Sequence, residues 1–211
     1  MSPAPGIAIL ARAPVAGEAK TRLAQALGAE GAAGLAAWML RRTVATARAA
    51  QLGPVRLFCT GDIDHPEFLA CATGDHPLPR QPQARGDLGE RMLRAAEAAA
   101  TPDGVIVIGT DCPALTCDHL RLVARELAHQ QAVVIPAEDG GYVLIAMQRP
   151  SAELFAAIHW GEPDVMTRTR QRLASMGWRW AEPETLWDVD RLEDVERLGR
   201  LLASAGETLP C

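Results

Sequence analysis

Gly6-IAILARAPVAGEAKTRL-Ala24 decides the reading of this chain, because a short apolar run, Ile7 to Ala11, breaks into a Pro/Gly loop carrying Arg12, Lys20 and Arg22. The run is short and apolar enough for a buried strand. Pro14 and Gly17 mark a turn, and from Lys20 onward Leu23 and Leu27 fall on one helical face. Strand, turn and helix N-terminus in that order aim backbone N–H groups at the space beyond the strand's end, which makes an anion site before any side chain is counted. Lys20 adds a mobile point charge and Arg22 a planar fork suited to phosphate oxygens. On spacing alone the same loop reads equally well as a solvated turn. It is not a Walker loop, whose GxxxxGK[ST] pattern it lacks.

The alternation repeats along the chain. Further strand-like runs are Val55–Thr60, Gly104–Gly109, Ala132–Pro136 and Tyr142–Met147, then a closing pair at Trp178–Ala181 and Thr185–Val189. Helical stripes lie between them. Leu35, Trp38 and Met39 open one; Leu120, Val123, Ala124 and Leu127 follow i, i+3, i+4, i+7 behind Thr116 as N-cap. Leu192, Val195, Leu198 and Leu202 form the last, with Asp190 and Glu193 spaced as a capping box. Such alternation predicts an α/β domain with a largely parallel, three-layer sheet, whose ligands sit beyond the carboxyl ends of the strands. No repeat, low-complexity tract or linker divides the chain, so residues 1–211 read as a single domain, with Pro77–Gly86 its most irregular loop.

At 211 residues and 48% hydrophobic content the chain can bury a proper core. A net charge of −5 speaks against nonspecific nucleic-acid binding, and 4% aromatic residues leave few platforms for stacking single strands. No apolar stretch approaches the roughly 20 residues that span a bilayer. The brief N-terminal run, interrupted by Arg12, does not read as a signal peptide. Cys59, Cys71, Cys112, Cys117 and Cys211 are odd in number and scattered, the usage of a cytoplasmic protein. Cys112 and Cys117 lack the CxxC or His pair of a zinc site, and Cys59 reads as a buried strand residue. His119, His129 and His159 read as surface or capping residues, and His65 and His76 fall in loops; no Ser/His/Asp or Cys/His arrangement stands out.

Two further stretches carry chemistry. Gly104-VIVIGTDCPALT ends its strand in Gly109, Thr110 and Asp111, which puts a carboxylate at the active edge of the sheet, where it could hold Mg²⁺ or cap a turn before Pro113. Trp187-DVD-Arg191 ends another run, and residues two apart on a strand share a face, so Asp188 and Asp190 could serve the same site, Asp190 doubling as the helix cap. Ile135-PAEDGGYVLIAM sets Asp139 before a glycine pair, Gly140 and Gly141, and Tyr142. It is either a ligand-approach loop or a hairpin turn with an acidic corner.

Taken together, ARAPVAGEAKTRL, GDLGERM (Gly86–Met92), IGTDCPALT, PAEDGGYVLIAM, IHWGEPDV (Ile158–Val165) and DVDRLEDVERL resemble, in order, the motifs of the DUF2064 family. The likeness runs from Ile7 to about Leu202. It implies a three-layer Rossmann-like nucleotide-diphospho-sugar transferase (GT-A) fold with a mostly parallel mixed sheet. It also implies a clamp for the donor's phosphates at Arg12, Gly17, Lys20 and Arg22, and a metal, Mg²⁺ or Mn²⁺, on Asp111 with Asp188 and Asp190. Gln81, Gly86, Asp87 and Gly89 would face the nucleotide base, and Asp139, Gly140, Gly141 and Tyr142 the acceptor or sugar. Three positions depart from the family pattern, which has Lys at Arg12, a small hydroxyl residue near Glu162 and Thr at Arg191.

By that resemblance the partners are a nucleotide or nucleotide-sugar donor and a small-molecule acceptor, with no nucleic acid and no membrane. Three functions stay open. Nucleotidyl transfer, with Lys20, Arg22 and Asp111 as the catalytic set and a phosphorylated or carboxylated acceptor, is favoured by the three cations of the first loop. Glycosyl transfer from a nucleotide sugar is weakened by a lone TD where a DxD is expected. A non-catalytic nucleotide-binding regulator requires that the carboxylates not converge.

Overall fold

The computed structural model describes residues 4–73 and 77–208; His76 and Cys211 lie outside the described residues. These residues form strands β1 (Gly6–Arg12), β2 (Val55–Thr60), β3 (Arg80–Pro82), β4 (Val105–Ile108), β5 (Ala132–Pro136), β6 (Tyr142–Met147) and β7 (Trp180–Ala181). The helices are α1 (Thr21–Ala49), α2 (Pro66–Ala72), α3 (Leu88–Ala99), α4 (Cys117–Leu127), α5 (Ala152–Phe155), α6 (Val165–Ser175) and α7 (Leu192–Ser204).

The sheet order is β3-β2-β1-β4-β6-β5-β7. Only β6 runs against the rest, antiparallel to β4 and β5, so the sheet is mixed and mostly parallel. The period-two pattern of each central strand divides the core. Ile7, Ile9, Ile106, Ile108, Val133 and Leu144 face one layer with α1, α2 and α4, while Ala8, Val105, Val107, Val134 and Ile145 face another with α3, α5 and α6. Strands covered on both faces read as unbroken apolar runs, and all four residues of β4 are buried. Each such aliphatic side chain contributes ~1.5–3 kcal/mol of hydrophobic stabilisation.

The site's position follows from the connections. From β1 the chain steps outward to β2 and β3, then returns to lay β4 on the other flank of β1. The connections therefore diverge between β1 and β4, and the crevice at that switch point is where such sheets take ligands. The loops leaving β1 (residues 13–20) and β4 (residues 109–116) flank it.

Three expectations are corrected. Pro77–Gly86 is not wholly irregular: Arg80–Pro82 adds a parallel edge strand to β2, helped by Leu57 N–H donating to the Pro79 carbonyl at 2.9 Å and by burial of Leu78. Thr185–Val189 is not a strand. Leu186 makes an isolated bridge with Ala137, and Val189 N–H then donates to the Asp111 carbonyl at 2.9 Å. The segment thus crosses from the end of β5 to the end of β4 and has no single neighbour with which to build a ladder. Finally, Asp190 does not cap the last helix. The N-cap of α7 is Arg191, and the Asp194 carboxylate reaches back to accept from the backbone N–H groups of Asp190 and Arg191 at 3.0 and 2.8 Å.

Candidate active site

The first loop leaves β1 at Arg12, turns through Gly17 at φ 82 and delivers Lys20 as the N-cap residue of α1. Lys20 sits in the left-handed region, φ 48 and ψ 47, uncommon for a residue with a Cβ. The turn before it closes as Glu18 and Ala19 N–H groups donate to the Val15 carbonyl, and the Lys20 carbonyl starts the helix by accepting from Leu23 and Ala24. The helical pattern from Lys20 holds through Leu27, then breaks at Gly28 (φ 73, ψ 165) before resuming.

That geometry turns the Lys20 side chain into the crevice. Its ammonium lies 3.0 Å from Asp111 Oδ1 and 2.8 Å from Asp190 Oδ1, and the side chain is only 10% exposed. Burial pulls the lysine's proton affinity down, but the charges and hydrogen bonds of Asp111 and Asp190 outweigh it together and leave the pKa above the ordinary lysine value. Lys20 is also the only lysine of the chain; the other twenty basic Lys/Arg positions are all arginine. Composition alone carried that signal, and motif reading passes over it.

Asp188 completes the cluster without touching Lys20. Burial first, then the nearby charges of Asp111, Asp139 and Asp190, push its carboxyl up to about 7, and Lys20 only partly offsets them. Cys112 lies beside it, its thiol pushed up to about 12 by burial and by Asp188. Among the described residues no three Asp, Glu, His or Cys side chains are grouped ready to hold a metal, and the Lys20 ammonium contacts two of the expected ligands, Asp111 and Asp190. The donor set still suits a hard cation. Carboxylate oxygens are what Mg²⁺ and Mn²⁺ take, and Asp111, Asp139 and Asp190 all act on Asp188 with only Lys20 opposing them.

The crossing segment that brings Asp188 and Asp190 here is pinned along its length. His119 Nε2 meets Glu184 at 2.9 Å, while its Nδ1 accepts the Thr116 N–H at 3.0 Å, so His119 is the capping residue expected and also a brace. Arg197 lies over the Trp187 ring at 4.4 Å and holds Glu138 through two hydrogen bonds of 2.7 and 2.9 Å.

The remaining expected residues divide by what they touch. Arg12 and Arg22 are exposed and make no ion pair among the described residues, so both guanidinium groups are open to an anion. Gln81 lies in β3, and Asp87 caps α3 by accepting from Glu90 N–H at 2.9 Å, after Gly86 at φ 115. A Cβ on Gly89 would fall 2.8 Å from the Trp160 ring, so that glycine seats the indole on α3. Asp139 Oδ1 accepts the Gly141 N–H at 2.9 Å to shape the β5–β6 hairpin turn. Gly140, φ 95, packs where a Cβ would meet the Pro163 carbonyl at 2.0 Å. The Tyr142 hydroxyl points inward to Met92 sulfur at 3.6 Å, its ring edge-to-face with Trp160. Beside this turn His159, Glu162, Pro163, Asp164 and Arg168 line a shallow hollow of about 470 Å³. Cys59, Cys71, Cys112 and Cys117 are free thiols.

A mixed Rossmann-like sheet with a cation loop after β1 facing a carboxylate after β4 defines the nucleotide-diphospho-sugar transferase (GT-A) class of fold, and solved structures bear this out. A candidate nucleotide-diphospho-sugar transferase of Desulfovibrio desulfuricans G20 is similar at 29% identity and a TM-score of 0.82, over 95% of this chain and 88% of that one. The same fold occurs in a nucleotidyl transferase of Methanothermobacter (18% identity, TM-score 0.64, 95% and 99% covered). It occurs again in Rv0371c of Mycobacterium tuberculosis H37Rv in complex with manganese (18%, 0.55, 92% and 97%). The chain belongs to the DUF2064 family, described as an uncharacterized protein conserved in bacteria, whose model matches residues 43–162. Among curated proteins none matches significantly. No helix of the described residues is long and apolar enough to cross a membrane.

Proposed function

We propose that this protein is a cytoplasmic, metal-dependent transferase working as one domain, which moves a nucleotidyl group from a nucleoside triphosphate to a small acceptor and releases pyrophosphate. The observation that carries this reading is the convergence of Lys20 with Asp111 and Asp190 at the switch point of the sheet, with Arg12 at the end of β1 and Arg22 in the first turn of α1 exposed at either end of the same loop. Arg12, Lys20 and Arg22, with the turn at Gly17, hold the donor's phosphates. The segment Gln81 to Gly89 lies toward the base, and the turn Asp139 to Tyr142, with the hollow beside it, toward the acceptor.

The chemistry asks little of the protein beyond placement. An acceptor oxygen bonds to the α-phosphorus, the bridging P–O bond to the β-phosphate breaks, and pyrophosphate leaves with that electron pair. Lys20 and Arg22 balance charge on the departing phosphates, and fixed positions replace chance encounter. Asp111, with Asp188 and Asp190, would hold a divalent ion, which supplies charge neutralisation to the phosphates when bound. The manganese complex of the Mycobacterium tuberculosis protein, similar in fold, supports a divalent ion here.

A second reading, glycosyl transfer from a nucleotide sugar, is favoured by the name of the Desulfovibrio protein. Screening nucleoside triphosphates and nucleotide sugars for Mg²⁺-dependent protection against heat tests both. A donor at a hundred times its Kd stabilises by ~2.7 kcal/mol. Protection by a triphosphate supports the first reading; protection by nucleotide sugars alone supports the second; protection by neither refutes both.

A further inference from the structure

Lys20 does more in this structure than wait for phosphate. Its ammonium already neutralises Asp111 and Asp190, touching one oxygen of each, in a position only 10% exposed. Those two carboxylates are also the ones that suit a divalent ion. Two cations drawn to the same oxygens repel each other, so each must weaken the other's hold.

The choice of lysine fits such a role. Everywhere else this chain uses arginine. A guanidinium is a planar fork that locks onto a carboxylate, whereas an ammonium is a compact point charge on a flexible stem, able to change partners. The left-handed backbone at Lys20 places that stem at the mouth of α1, whose first turn carries the exposed Arg22. The flexible stem lets the ammonium leave the two carboxylates without a change of backbone.

We propose that Lys20 is a resident counter-cation that competes with the divalent ion for Asp111 and Asp190. Once displaced, it turns to the donor's phosphates, so that metal and donor bind better together than either does alone. This rests on the metal-dependent reading above. It adds an order of events: the ammonium is held back while the carboxylates lack another partner, and is released to the donor when they gain one. Linkage then requires that the donor's phosphates strengthen metal binding by the same factor that metal strengthens theirs.

Two measurements decide it, neither of them a rate. Calorimetric titration with Mn²⁺ alone should show Lys20→Met binding the ion about tenfold more tightly than the unsubstituted protein, because the competitor is gone. Equal or weaker binding by a folded Lys20→Met would overturn the proposal. Where that variant does not fold, the unsubstituted protein gives the answer, since a chain with a single lysine labelled with ¹³C-lysine has one ε-methylene resonance. Saturating Mg²⁺ should shift that resonance, and inorganic triphosphate should shift it again. A resonance unmoved by Mg²⁺ that calorimetry shows to be bound would mean that Lys20 keeps its carboxylates. If neither ion binds the unsubstituted protein, the metal-dependent reading itself fails and this proposal falls with it; if the ions bind but Lys20→Met gains nothing, only the competition is refuted.

Discussion

Lys20 and Asp190, 170 residues apart in sequence, meet at 2.8 Å across the crevice between β1 and β4. The contact closes the chain on itself: the first loop and the lead-in to the last helix share one ion pair, and Asp111, from the loop between them, shares the same ammonium at 3.0 Å. Everything proposed for the site depends on these three residues acting together.

Asp111→Asn keeps the shape of the side chain and removes its charge. Mg²⁺-dependent turnover should fall about a hundredfold or more, on the scale of losing one electrostatic stabiliser of a transition state. Circular dichroism should show the fold intact, since Asp111 is half exposed and its backbone carbonyl still accepts from Val189. Unchanged metal-dependent turnover would remove Asp111 from the site.

Arg22 is exposed and makes no ion pair among the described residues, so its loss disturbs no internal contact. Arg22→Ala should weaken triphosphate binding by about 1.5–3 kcal/mol if it makes charge-assisted hydrogen bonds to the donor. Calorimetric titration reads the difference. Binding as tight as that of the parent would mean the guanidinium simply faces water.

Much of this was legible in the sequence, and the failures have physical causes. Ala132–Pro136 and Tyr142–Met147 are strands to the residue because both their faces are covered, and Val55–Thr60 because its middle, Leu57 to Cys59, is buried; all three runs end at polar or turn residues. Arg80–Pro82 was hidden because an edge strand of three polar and proline residues carries no hydrophobic period; only its neighbour β2 makes it a strand. The capping box fell one residue early because Asp190 and Glu193 have the same spacing as the pair that forms it, Arg191 and Asp194. The Asp190 carboxylate is taken up by Lys20 instead, and a contact across most of the chain leaves no local trace. That Asp111 and Lys20 lie at one edge of the sheet could be read from strand ends, whereas the ammonium standing between carboxylates could not.

Gly140 is held by both conformation and space, at φ 95 with the Pro163 carbonyl 2.0 Å from where a Cβ would sit. Gly140→Ala should destabilise the protein by about 2–4 kcal/mol, combining left-handed strain with a clash against backbone. A urea denaturation midpoint unchanged from the parent would show that the turn and the 158–164 loop adjust freely.

Stability in acid should depend on Glu182. Hydrogen bonds from Arg170, with help from Trp180, hold its carboxyl below the usual glutamate value despite partial burial. A carboxyl whose pKa is depressed in the folded state contributes fully above its unfolded pKa and loses that contribution as pH falls through the folded one. The pair is partly exposed, so about 1 kcal/mol or less is at stake, fading below roughly pH 4. Glu182→Gln should therefore be less stable than the parent at pH 7 and converge with it in acid; a gap that stays constant with pH would assign the loss to packing alone.

The most direct test of the transferase reading is to identify the product that leaves. With Mg²⁺ and a panel of small acceptors, the protein is incubated first with nucleoside triphosphates and then with nucleotide sugars, and pyrophosphate and nucleoside diphosphate are both assayed. Nucleotidyl transfer predicts acceptor-dependent pyrophosphate release from a triphosphate, abolished by Asp111→Asn. Acceptor-dependent release of a nucleoside diphosphate from a nucleotide sugar, with no pyrophosphate from any triphosphate, would contradict it.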